Sequence, residues 1–145
     1  MISERLKTAA KYLEGFNCLA DCGTDHGYLP IYAIEQGFIY SAIASDNKQK
    51  PLDNAKTNIE ASNMSDLIDL VLADGLPYLN EKIDIVSVLG MGGRMIARIL
   101  NKANLEDVRR LVLSPNSESE QLRVFLENTG WKIIDEEFIQ DKKKY

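Results

Sequence analysis

Long apolar runs are missing from this 145-residue sequence. A membrane-spanning helix needs about 20 consecutive apolar residues. The runs here are short, among them Leu70 to Ala73, Leu111 to Leu113, and Ile85 to Leu89 interrupted by Ser87. The opening Met1-Ile-Ser-Glu-Arg5 has no apolar signal-peptide core, so a cytoplasmic location is expected and no membrane partner. Cysteine is scarce, with Cys18 and Cys22 alone. Both fall in one expected strand, where four residues span about 13 Å. A disulfide needs Cα atoms within about 7 Å, so these two cannot pair. Two thiols and one histidine also make a poor zinc set, and no metal is expected. The cysteines read as small buried apolar residues in a reducing compartment. Excess positive charge is missing too: 17 Lys and Arg face 22 Asp and Glu, a net charge of −5. That excludes a dedicated nucleic-acid coat but leaves room for an enzyme that docks RNA on a local patch.

What is present is globular. Hydrophobic residues make up 45% and charged residues 27%, which excludes wholesale disorder. The length suits one domain over residues 1–145. Helical and strand patterns alternate from end to end. Helices are predicted over Ser3–Glu14, Pro51–Ala61 and Arg94–Ala103 from apolar residues at helical spacing, and over Tyr28–Gln36, which is apolar on several sides and ends at Gly37. Strands are predicted over Asn17–Cys22, Ser41–Ser45, Ile68–Ala73, Ile83–Leu89, Arg110–Leu113 and Trp131–Ile139. Ser117-x-x-Glu120 reads as a capping box that opens a last helix carrying Leu122, Phe125 and Leu126. This alternation predicts an α/β fold, a mostly parallel doubly wound sheet with right-handed crossovers. Ligands of such sheets bind beyond the carboxyl ends of the strands.

The strand ends carry the unusual residues. The first reads Asp21-Cys-Gly-Thr-Asp-His-Gly-Tyr-Leu-Pro30. It is not G-x-G-x-x-G, and the acids Asp21 and Asp25 would repel a pyrophosphate. They suit a ligand bearing an amine and hydroxyls, such as the methionine end of S-adenosylmethionine. Asp46, followed by Asn47, closes the second strand 23 residues after Gly23, where such folds place an acid on a ribose. Asp74-Gly75 closes the third; its carboxylate can accept from an adenine amino group while glycine lets the ring lie on the backbone. Each acid alone is also ordinary turn chemistry. Three carboxylates on one sheet edge fit S-adenosylmethionine better than a nicotinamide nucleotide.

Those motifs, with Ala73-Asp-Gly75, Leu89-Gly-Met-Gly-Gly93 and Ser114-Pro-Asn116, resemble the bacterial tRNA adenine-N1 methyltransferases that act on position 22 of tRNA. The resemblance runs in order along essentially the whole chain. It implies a Rossmann-like class I methyltransferase fold, S-adenosylmethionine as cofactor and tRNA as substrate. It further implies cofactor contacts from Asp21, Gly23, Thr24, Gly27, Tyr28, Asp46, Asn47, Asp74, Gly75, Gly90 and Met91. The family more often has Ile and Ser where this chain has Cys22 and Thr24, and Glu where it has Asp46. Family members also continue into another strand and a helical extension, whereas this chain reaches Lys142-Lys-Lys-Tyr145, so a catalytic-domain fragment is expected.

Ring N1 of adenine has an in-plane lone pair and attacks as it stands, so catalysis is mainly alignment. Enzymes for the exocyclic amine present an Asn/Asp-Pro-Pro-aromatic loop; here the fourth loop is Gly90-Met-Gly-Gly93. The methylated base becomes cationic, and Asp25 is the expected carboxylate beside it. His26 and Asn116 are the other candidate catalytic residues. With the capping box supplied by Ser117, the Asn116 amide is expected to be free to face the pocket, and Met91 to line it. Arg94, Arg98 and Lys102 form a stripe at i, i+4 spacing that could meet RNA phosphates, and Lys142 to Lys144 a solubilising chain end. A methyltransferase of a small molecule or protein, and a non-catalytic nucleotide- or RNA-binding module, remain as alternatives. The sequence does not fix the oligomeric state; a monomer is the default expectation.

Overall fold

A computed structural model describes residues 2–140 of the chain. Its elements run α1 (Glu4–Lys11), β1 (Cys18–Cys22), α2 (Tyr28–Glu35), β2 (Ser41–Asp46), α3 (Gln49–Ala61), β3 (Ile68–Leu72), β4 (Ile85–Gly92), α4 (Gly93–Lys102), β5 (Arg110–Ser117) and α5 (Ser119–Asn128). The strands form one sheet in the order β3-β2-β1-β4-β5, and every pairing is parallel. The doubly wound parallel sheet expected from the alternation is therefore present. The chain steps outward from β1 to β3, then returns to lay β4 on the other side of β1. That reversal opens a crevice at the carboxyl ends of β1 and β4.

Both faces of the sheet are covered, and the strand period of two assigns residues to each. Leu19, Ala42, Ala44 and Ile85 pack under Ala9, Ala10 and Leu13 of the α1 segment, Leu29 and Ala33 of α2, and Ala55 and Ile59 of α3. Ala20, Cys22, Val86 and Val88 pack under Ile96, Ile99 and Leu100 of α4 and Leu122 and Leu126 of α5. Ser3 starts α1 by accepting a hydrogen bond from the Leu6 amide at 3.3 Å, the expected work of an N-cap serine. Asp84 joins the strands at the far end: its carboxylate accepts from the Asn17 and Cys18 amides and from Asn17 Nδ2 at 3.0–3.1 Å. Both cysteines are free, and burial raises the thiol pKa of each, that of Cys22 to about 12.

Three expectations are corrected. The segment Trp131–Ile139 is not a sixth strand; it carries no ladder. Its alternation has no face to bury, because Ile134 and Phe138 are exposed. Its acids are drawn elsewhere: Tyr12 Oη donates to the carboxylates of Asp135 and Glu137 at 3.0 and 2.6 Å, and Arg123 pairs with Glu136. The capping box does not form either. β5 runs on through Ser117, which pairs with Gly92, so the chain must reverse at Glu118. Glu118 adopts a left-handed conformation with φ 56° and makes no side-chain cap for α5. Third, Gly90 to Gly92 is not loop but an irregular continuation of β4, held by Met91 against Pro115 and Gly92 against Ser117. Lys142 to Lys144 lie outside the described residues.

That continuation brings the start of α4 against the β5–α5 turn. A Cβ on Gly93 would stand 2.0 Å from the Glu118 carbonyl oxygen, a backbone atom that cannot step aside alone. Gly93→Ala should therefore lower stability by about 1–3 kcal/mol, the usual range for overpacking. Urea unfolding measures it; an unchanged midpoint would mean that α4 is free to slide away from the turn.

Candidate active site

A cleft of about 650 Å³ opens at the carboxyl edge of the sheet, where the order reverses. From the β1–α2 loop it is lined by Asp21, Gly23, Thr24, Asp25, His26 and Tyr28. From the ends of β2 and β3 come Asp46, Asn47, Asp74 and Gly75, and from β4 come Gly90 and Met91. Twelve of the fourteen residues expected from sequence thus converge on one cavity.

The loop is held by its neighbours rather than by its own side chains. The amides of Gly23 and Thr24 both donate to the Ser45 carbonyl at 2.9 Å. Ser45 Oγ in turn donates to the Gly75 carbonyl at 3.0 Å, so the ends of β1, β2 and β3 are linked. Gly23 has φ 72°, and a Cβ there would meet Met91 Cε at 2.6 Å. Glycine is thus required both for the turn and for contact with β4. Asp25 also has a positive φ of 56°, which aspartate tolerates better than most residues. His26 stacks on Tyr28 with ring centroids 5.1 Å apart, and its Nε2 lies 3.8 Å from Asp25 Oδ1.

Asp21 is buried at the base of the cleft and accepts a hydrogen bond from Ser87 Oγ at 2.7 Å. Burial pushes its carboxyl up to about 6, with the nearby Ser87 and Thr24 hydroxyls pulling in the opposite direction and Asp46 adding to the rise. Thr24 Oγ1 is itself buried and finds no well-directed hydrogen-bond partner among the described residues. Asp46 accepts from the Lys48 amide at 3.2 Å through Oδ1 and from the Asp25 amide at 3.3 Å through Oδ2. Each carboxylate oxygen keeps a further lone pair for a ligand.

Two expected residues stand outside the lining. Gly27 is the left-handed residue before α2, and a Cβ there would stand 3.3 Å from Ala55 Cβ of α3, closer than an ordinary contact; it serves packing. The Asn116 amide is not free: with no capping box, Nδ2 donates to the Gly90 carbonyl at 3.1 Å and Oδ1 accepts from Ser117 Oγ. The basic stripe is divided as well. Arg94 pairs with Glu118 at 3.6 Å, Arg98 lines the cleft, and Lys102 lines a separate cavity of about 60 Å³ beside Asp74 and Arg98. Sequence reading missed Arg5 and Leu6, which reach the cleft from α1, and Met95 and Ile99 from α4. The latter pair carried a legible signal, since they sit four residues apart in the first two turns of the helix that opens at the glycines. Arg5 carried none. No group of three His, Cys, Asp or Glu among the described residues could hold a metal ion, and no described helix is long and apolar enough to cross a membrane.

Comparison with known proteins places this geometry. The methyltransferase domain family matches residues 2–145. The Bacillus subtilis tRNA (adenine(22)-N(1))-methyltransferase is 34% identical over 99% of this chain and 61% of its own length. A Streptococcus pneumoniae protein solved in complex with S-adenosyl-L-methionine is 39% identical with a TM-score of 0.91, covering 99% of this chain and 69% of that one. Mycoplasma capricolum TrmK, solved with S-adenosyl-homocysteine, is 32% identical with a TM-score of 0.87, covering 97% and 63%. The chain spans less than two thirds of the Bacillus subtilis relative's length.

The buried Asp21 carboxyl has a testable consequence. Its pKa rises from 3.8 in the open chain to about 6 in the fold, so the folded state holds the proton more tightly. Asp21 therefore costs stability as pH rises through that window. In Asp21→Asn this cost disappears. The stability of the variant relative to the parent should improve by up to about 3 kcal/mol between roughly pH 3.5 and pH 7. Urea unfolding at both values tests it; a pH-independent difference would mean that Asp21 titrates normally.

Proposed function

This chain belongs to the methyltransferase domain family, and we propose that it is of the tRNA (adenine(22)-N1)-methyltransferase branch and transfers a methyl group from S-adenosylmethionine to N1 of an adenine in tRNA. The observation that carries this reading is the convergence of Asp46, Asp74 and the Gly23–Tyr28 loop on one cleft at the switch point. The donor set fits the cofactor: carboxylates for hydroxyls and an amine, no phosphate cradle, and at Thr24 Oγ1 a buried oxygen still lacking a partner. When bound, S-adenosylmethionine supplies an electrophilic methyl group on a sulfonium.

The chain's own residues then divide the work by strand. Asp46 binds the ribose hydroxyls with the lone pairs its turn leaves over. Asp74 accepts from the adenine amino group, with Gly75 allowing the ring close to the backbone. The Gly23–Tyr28 loop holds the methionine end. Asp25 is the carboxylate beside the target base and offsets the positive charge that N1 methylation creates. His26 stacked on Tyr28 forms an aromatic wall next to it, and Met91 an apolar one. The Asn116 bond fixes the Gly90 carbonyl and with it the floor on which the base is aligned.

Radiolabelled methyl transfer to an unmodified tRNA transcript, followed by mapping of the modified base, tests the reaction. Label at N1 of one adenine supports it; label on protein, on a small molecule or on another atom of the tRNA overturns it. Asp46→Ala should weaken S-adenosylmethionine binding about ten- to a hundredfold, the loss of charged hydrogen bonds worth roughly 1.5–3 kcal/mol. Calorimetry on the folded variant measures this, and unchanged affinity would remove Asp46 from the ribose. Asp25→Asn should reduce turnover at saturating cofactor far more than it reduces cofactor affinity. The opposite pattern would make Asp25 a binding residue.

A further inference from the structure

Four carboxylates line the cleft: Asp21, Asp25, Asp46 and Asp74. S-Adenosylmethionine brings a carboxylate of its own on the amino-acid end, and four acids make a poor setting for a fifth. A cation beside that group would offset their repulsion. Two guanidinium groups border the cleft, Arg5 and Arg98. Arg98 stands at the wrong end. It shares the small side cavity with Asp74, Gly75 and Lys102, beyond β3, and its Nη2 lies 2.8 Å from Met95 Sδ.

Arg5 is at the other end of the row. A Cβ built on Gly90 would be 3.9 Å from Arg5 Nη2, so the guanidinium faces the end of β4. In the sheet order, β3 leads into Asp74, β2 ends at Asp46, β1 leads into the Gly23 loop and β4 carries Gly90. Strands are about 4.8 Å apart, so this row is about 14 Å long. A ligand with adenine at Asp74 and ribose at Asp46 has its amino-acid end at β1 and β4. Arg5 forms no salt bridge and donates no side-chain hydrogen bond among the described residues, so its donors are available. Its backbone is fixed, because α1 is capped by Ser3 and seated on the sheet through Ala9 and Ala10.

We propose that Arg5 is a cofactor-binding residue, its guanidinium holding the amino-acid carboxylate of S-adenosylmethionine from across the cleft. This rests on the reading above that the cleft is the cofactor site. α1 is then part of the site rather than a cover for the sheet, and one face of the ligand is closed by the first helix of the chain. A fork of N–H donors matches a planar carboxylate in a way an ammonium does not.

The test compares two ligands by calorimetry on the intact chain: S-adenosylhomocysteine, which has the carboxylate, and 5′-methylthioadenosine, which lacks the amino-acid portion. Arg5→Ala should lose about ten- to a hundredfold in affinity for the first and keep its affinity for the second, which also shows that the variant is folded. Arg5→Lys should recover part of the loss. Equal losses for both ligands, or no loss for S-adenosylhomocysteine, would overturn the assignment. So would unchanged cofactor affinity with a raised KM for tRNA, which would assign Arg5 to an RNA phosphate instead. If the parent chain bound neither ligand, the cofactor reading itself would fall and this inference with it.

Discussion

Asp21 and Ser87 stand opposite each other in the β1–β4 ladder, on the two strands between which the sheet reverses direction. Their 2.7 Å hydrogen bond is buried, and it places a carboxyl at the bottom of the crevice that the reversal creates. The rest of the site is arranged from that point. The loop after Asp21 is tied to Ser45 by two backbone amides, and Ser45 is tied to Gly75, so three strand ends are linked by hydrogen bonds. An acid held in this way costs stability when ionised, and the fold tolerates it at the place where a ligand with an amine and hydroxyls would compensate it.

The second dependence is steric. Gly23 makes room for the end of Met91, and Gly93 makes room for the backbone of Glu118. The two glycines hold opposite sides of the same bulged extension of β4. Glu118 adds an electrostatic link, its carboxylate accepting from the Arg94 amide at 3.5 Å near the positive end of α4 and pairing with the Arg94 side chain. Both glycines therefore act as close-packing residues, Gly23 in addition to lining the cleft. The same contacts pair Arg94 with Glu118, so of the basic stripe Arg98 and Lys102 are the members without a salt bridge among the described residues.

Much of this was legible in the residues. Strand ends were marked by Asp21, Asp46 and Asp74-Gly75 because a parallel sheet sends its chemistry to one edge and acids there interrupt apolar runs. The helices α1 and α3 were legible from their periodicity, and α2 from an apolar stretch that ends at Gly37. The Trp131–Ile139 segment was misread because alternation signals a strand only when a neighbour supplies both a ladder and a buried face. The capping box was misread for a similar reason: Ser117 has the right spacing from Glu120, but its backbone is committed to pairing with Gly92.

Period and composition, which act between residues close in the chain, determined by themselves the α/β class, the parallel sheet and the set of strand-end residues from which a cofactor site could be built. The tertiary structure alone decided which of those residues share a cavity. Gly27 turned to α3, Asn116 turned to the Gly90 carbonyl, and Arg5 entered from α1. These are contacts between residues 26 to 85 positions apart, and nothing in a local pattern records how the crossovers bring them together.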